Sequence, residues 1–156
     1  MTRSVRRVET EAELEDALAV RRAVFVDEQD VPPALEVDAY DDLGAATHFL
    51  AVDGDTAVGA ARLRPVDAGT DGADDHATPA RAKIERVAVL ADRRDEGWGA
   101  RLMDAVEAEA RRAGFETLVL HAQTPVEGFY ADRGYRSVGE EFEEAGIPHV
   151  EMVRNC

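Results

Sequence analysis

The chain of 156 residues contains one cysteine, and it is the last residue, Cys156. No intramolecular disulfide can form and a cysteine-based structural zinc site is excluded; no metal site of any kind is expected. A thiol at a frayed terminus needs no further role. Lysine is as scarce: Lys83 is the only one among 18 basic residues, and these face 33 Asp and Glu for a formal charge of -15. No basic stripe is present, which argues against nucleic acid as a partner. Long apolar runs are missing too, and "MTRSVRRVET" has no apolar segment of signal-peptide length, so no membrane partner is expected and a cytoplasmic location is.

What is present suits a folded domain. With 45% hydrophobic residues, the chain is long enough for one core and too short for two ordinary ones, so a single domain over 1–156 is expected. Regular apolar periodicity argues against disorder despite the charge. The acidic surface fits a protein adapted to high salt, where screening relieves self-repulsion.

Periodicity places the elements. A short alternating strand over Ser4 to Val8 precedes a capping box, Thr10 with Glu13, and a helix carrying Leu14, Ala17, Leu18 and Phe25. "VPP" at Val31 to Pro33 stops that helix, leaving Pro32 to Ala46 as loop with room for a short turn. Alternating runs around Asp53-Gly54 predict a hairpin, with strands at Thr47 to Val52 and Thr56 to Arg64. Val66 to Ala80 lacks periodicity and is a surface loop; "RAKIERVAVL" is the next strand. Trp98, Leu102, Ala105, Val106, Ala110 and Ala113 form the stripe of a helix closed by Gly114. "ETLVLHA" is a buried strand, "PVEGFYADRG" a short helix, and "YRSVGEEF" with "HVEMV" a terminal strand pair. The fold class is α/β: a mixed, mostly antiparallel sheet with helices on both faces and one parallel crossover around Gly97.

Gly97 and Gly99 stand where that long helix starts. A helix N-terminus offers unpaired amides and partial positive charge, so it can hold phosphate on a protein of negative net charge. Arg93 and Arg94 add local positive charge. There is no Gly-Lys-Ser/Thr, hence no Walker loop, and Leu102 occupies the third glycine position of a dinucleotide fingerprint.

"RVAVLADRRDEGWGARLM" resembles the acetyl-CoA motif of the Gcn5-related N-acetyltransferase (GNAT) superfamily, with Arg94, Gly97 and Gly99 at the matching places. "HAQTPVEGFYADRGY" resembles its second motif, and "FVDEQDVPP", "ARLRP" and "EEFEEAGIPHVEM" are similar to the ElaA-like branch. The likeness runs from Val20 to Val153 and implies a GNAT fold with acetyl-CoA as cofactor. It implies that Val87, Ala88 and Val89 present backbone groups to the pantetheine arm. Amides from Arg94 through Asp95, Gly97, Trp98 and Gly99 to Ala100 would cradle the pyrophosphate. Gln123 stands where many members carry Asn. The acceptor would be a primary amine of a small molecule or peptide, and homodimers are common in the superfamily.

Direct acetyl transfer needs a proton acceptor for the amine and an acid for the departing thiolate. Tyr130, beside Phe129 in the second motif, is the acid candidate because tyrosine stays protonated near neutrality. Glu85 is the base candidate, sharing a strand face with Val87 and Val89 and acting directly or through water. His121 and His149 are alternative bases, and Glu28, Glu140, Glu141, Glu143 and Glu144 could attract a cationic amine. The alternative to an enzyme is an acyl-CoA-binding sensor with idle catalytic residues.

Overall fold

The first helix is set by its cap. In the computed structural model, which describes residues 2–66 and 80–156, β1 (Arg3–Arg7) leads through Thr10 into α1 (Glu11–Arg21). The Thr10 hydroxyl accepts from the Glu13 amide at 3.1 Å. The other half of the expected box is displaced: the Glu13 carboxylate reaches the Glu9 amide, at 2.9 Å, instead of that of Thr10.

Beyond Arg21 the chain widens into a π-helix, Arg22–Glu28. The segment from Pro32 to Ala46, expected as loop, holds two short helices: α2 (Pro33–Glu36) and a 3-10 turn, Ala39–Asp41. Proline ends one helix and begins the next, because its fixed φ suits a first turn where the missing amide costs nothing. The Asp38 carboxylate caps the Tyr40 amide and the Asp41 carboxylate answers on the Asp38 amide, at 3.0 and 2.9 Å.

β2 (Thr47–Asp53) and β3 (Thr56–Val66) pair antiparallel, from Thr47 opposite Leu63 to Asp53 opposite Thr56, around a Gly54-Asp55 turn. Then follow β4 (Arg81–Val89), α3 (Trp98–Arg112), β5 (Thr117–Gln123), α4 (Glu127–Ala131), β6 (Arg136–Glu144) and β7 (Ile147–Asn155). The strand order is β1-β2-β3-β4-β5-β7-β6. β4 and β5 run parallel, as the crossover requires, and β7 is antiparallel to both β5 and β6. This is the mostly antiparallel α/β sheet expected from the sequence. Most of the Val66 to Ala80 segment lies outside the described residues.

Two compact units share the chain: Met1–Leu63 with Arg86–Ala108, and Arg64–Glu85 with Glu109–Cys156. In the first, Leu14, Ala17, Val20 and Val24 pack against Leu50, Val52, Ala60 and Ala88. Gly59 is there for space: a Cβ on it would lie 2.9 Å from Leu102 Cδ1 and 3.1 Å from the Ala88 carbonyl, so only glycine lets α3 settle on the strands. In the second, β5 and β7 bury Leu118, Leu120, Ala122, Val150 and Met152.

Along α3 the buried stripe is Trp98, Leu102, Met103, Val106 and Ala110. Ala105 is half-buried and Ala113, expected on the stripe, is exposed, because the helix ends at Arg112. The Gly114 and Phe115 amides then turn back to the carbonyls of Arg111 and Ala110.

Candidate functional site

The first unit carries the glycine turn. After β4 a 3-10 turn, Ala91–Arg93, leads into a stretch where Asp95 and Gly97 both adopt left-handed backbone, at φ +65° and +86°. A Cβ on Gly97 would meet nothing within 4 Å, so glycine is required for its φ and the space in front of it is open. The first amide of α3 to find a carbonyl within the turn is that of Arg101, donating to Gly97 at 3.1 Å. The amides of Trp98, Gly99 and Ala100 precede it and have no acceptor within the helix. An anion fits such a turn.

Trp98 anchors it. Its side chain is 1% exposed, with the guanidiniums of Arg3 and Arg101 at 5.3 and 5.9 Å from the ring and its indole N–H donating to Glu96 at 3.0 Å. Only the backbone of Trp98 is therefore offered to a ligand. The two arginines expected to meet phosphate are already engaged: Arg93 with Asp53 at 2.7 Å, and Arg94 with both oxygens of Glu28 at 2.7 Å. The Val89 carbonyl accepts from Arg94 Nε at 3.1 Å.

β4 is not a regular strand. Arg86 lies at φ +58°, a strained conformation for a residue with a side chain, and the pleat is interrupted there. The inference that Glu85 shares a face with Val87 and Val89 assumed unbroken alternation and does not carry across Arg86. Ala88 is buried, while Val87 and Val89 are half-buried.

Arg86 leads to a buried ionic network that the sequence did not reveal. Its guanidinium donates to the carbonyls of Glu36 and Leu35 and lies 3.1 Å from the Glu36 carboxylate. Arg21 donates to Glu36 at 2.9 Å and to both Asp41 oxygens at 2.6 and 3.0 Å. Arg62 binds Asp38 and Asp41 at 2.7 and 2.9 Å. In "LEVDAYDD", part of the segment expected as loop, Glu36 and Asp41 are buried against cations far along the chain.

Burial works against the Asp41 charge, but hydrogen bonds from Arg21 and the Asp38 amide, with both guanidiniums, outweigh it and hold this carboxyl well below its ordinary 3.8. Glu36 goes the other way, since burial outweighs Arg21 and Arg86 and raises it. Asp41→Asn leaves two buried guanidiniums short of charge and should cost about 3–5 kcal/mol of stability. Because the Asp41 value is depressed, its contribution is complete above 3.8 and fades as pH falls from there towards the folded-state value. Urea unfolding at neutral pH checks this; a loss below about 1 kcal/mol, the range of a surface ion pair, would contradict it.

The second unit carries the titratable candidates. Tyr130 is 8% exposed, edge-on to Phe129 and Tyr135 with centroids at 5.0 and 6.0 Å. Burial pushes its hydroxyl up to about 12, against an opposing effect of Arg133, so it stays protonated across the neutral range. Glu85 accepts from Arg64 Nε at 2.8 Å and Nη2 at 3.3 Å, with the Lys83 ammonium at 3.4 Å.

His121 has Nδ1 at 2.9 Å from Glu144 and Nε2 at 3.2 Å from Glu151. His149 is buried, with Nδ1 2.6 Å from the Ile147 carbonyl. The ring nitrogens of His121 are thus both occupied, which argues against it as a base. Gln123 ends β5 opposite His149 in the β5–β7 register. Glu140, Glu141 and Glu143 are exposed on β6. No group of three His, Cys, Asp or Glu suited to a metal occurs among the described residues, and no helix among them is long and apolar enough to cross a membrane.

Known proteins are similar to this chain in sequence and in fold. The family model for the acetyltransferase (GNAT) domain matches residues 10–156. YjcF of Bacillus subtilis strain 168, an uncharacterized N-acetyltransferase, is 38% identical over 146 residues, 93% of this chain and 94% of its own. Among solved structures, an acyl-CoA N-acyltransferase from Pseudomonas aeruginosa aligns with TM-score 0.80 at 28% identity, covering 98% of this chain and 99% of that one. ElaA of Escherichia coli aligns with TM-score 0.78 at 30% identity over the same shares.

Proposed function

We propose, for a chain that belongs to the GNAT acetyltransferase family, that it transfers an acetyl group from acetyl-CoA directly to a primary amine of a small molecule or peptide. The observation that carries the cofactor assignment is the start of α3, where three amides without acceptors in the helix stand behind an open, left-handed Gly97. In this reading those amides hold the pyrophosphate, and the backbone of Val87, Ala88 and Val89 holds the pantetheine arm. Gln123 contributes from the end of β5. The family match over residues 10–156, with chain segments alternating between the two units, supports a single functional domain.

When bound, acetyl-CoA supplies the activated acyl group; the residues of the chain manage the protons. The amine nitrogen forms its bond to the acyl carbon as the carbon–sulfur bond breaks. Glu85 takes the amine proton, directly or through water, and Tyr130 gives its own to the departing sulfur. Arg64 and Lys83 hold the Glu85 carboxylate in place.

Titration calorimetry with coenzyme A tests the cofactor assignment, and salt tests how an acidic chain manages it. Between roughly 0.1 and 3 M KCl, self-repulsion of the surface carboxylates is screened and the melting temperature should rise. Coenzyme A affinity should fall only modestly, because short contacts to fixed amides are screened less than scattered surface cations. A melting temperature indifferent to salt, or a steep loss of cofactor affinity, would contradict this picture.

A further inference from the structure

The fork of Arg94 is filled from within its own unit. Arginine presents two parallel donors to a carboxylate or a phosphate with the same geometry. Both Nη atoms of Arg94 are spent on the two oxygens of Glu28, each at 2.7 Å, and Nε is spent on the Val89 carbonyl at 3.1 Å. Glu28 is the last residue of the π-helix, so the contact ties that helix to the segment leading into α3. The pair is accessible, with side chains 40% and 38% exposed, so an anion arriving from solvent can displace the carboxylate without unpacking the core.

We propose that Glu28 is an intramolecular competitor for the ligand phosphate at Arg94: it occupies the guanidinium in the free protein and is exchanged for phosphate when the cofactor binds. This rests on the reading of the α3 start as a coenzyme A site. The exchange conserves charge pairing at Arg94 and frees the end of the π-helix, so cofactor affinity reflects the difference between two pairings of one arginine. Glu28 thereby sets how tightly the cofactor is held, without being part of the amide cradle.

Coenzyme A affinity measured by calorimetry for wild type, Glu28→Gln, Arg94→Gln and the double variant tests this. Glu28→Gln should bind about two- to fivefold tighter, the scale of an exposed ion pair. Arg94→Gln should bind more weakly, and adding Glu28→Gln to it should bring no gain. Equal or weaker binding by Glu28→Gln would overturn the proposal, since Glu28 would then be idle or would be positioning Arg94. Equal tightening with and without Arg94 would overturn it too, showing a general charge effect. A wild type that fails to bind coenzyme A would reject the cofactor reading itself, an outcome distinct from either. Melting curves of all four proteins confirm that folded states are compared.

Discussion

Gly99→Glu should abolish coenzyme A binding while leaving the protein folded. Gly99 is the second residue of α3, in the turn whose amides have no helical acceptor. A glutamate there brings bulk and a carboxylate to the place proposed for the pyrophosphate, and like charges at that distance are strongly opposed. The same substitution is favourable for the helix: glycine is a poor helix former by about 1 kcal/mol, and an acid in the first turn suits the helix dipole. Binding and stability should therefore move in opposite directions, which separates loss of the site from loss of the fold. Calorimetry that finds equal affinity in wild type and variant would show that the cradle lies elsewhere.

Tyr130→Phe should lower turnover by about 100-fold and leave cofactor affinity nearly unchanged. Phenylalanine preserves the edge-on packing against Phe129 and Tyr135, so the change is confined to one hydroxyl. With the tyrosine held near 12, its protonation does not vary around neutrality, and the deficit should be uniform across that range. Unchanged turnover on a verified amine would remove Tyr130 from the proton transfer to sulfur.

Elements governed by local rules could be read from the sequence. The α3 stripe, the β2–β3 hairpin and the Gly114 stop depend on periodicity and turn chemistry within a few residues, and they are found where expected except for Ala113, which lies past the end of the helix and is exposed. The glycine turn was likewise visible, because Gly97 and Gly99 stand just where the apolar stripe of α3 begins. What escaped depends on long-range pairing. The acids after "VPP" gave no hint that Glu36 and Asp41 are buried against Arg21, Arg62 and Arg86, and that network orders a segment otherwise expected to be loop. The pairing of Arg94 with Glu28 was hidden in the same way, since a charge in sequence carries no sign of which partner the fold will bring to it. Arg86 was missed because a left-handed arginine inside a strand contradicts local preference and persists only where surrounding contacts enforce it.

Direct acetyl transfer from acetyl-CoA to an amine is tested by thiol release from acetyl-CoA over a panel of polyamines, amino sugars, amino acids and peptides, with mass spectrometry of both acceptor and protein. The expected result is thiol release that depends on one class of amine, one acetyl group on the amine nitrogen of that acceptor, and none retained on the protein. A chain that binds coenzyme A yet releases no thiol with any amine, or that carries the acetyl group itself, would contradict the account.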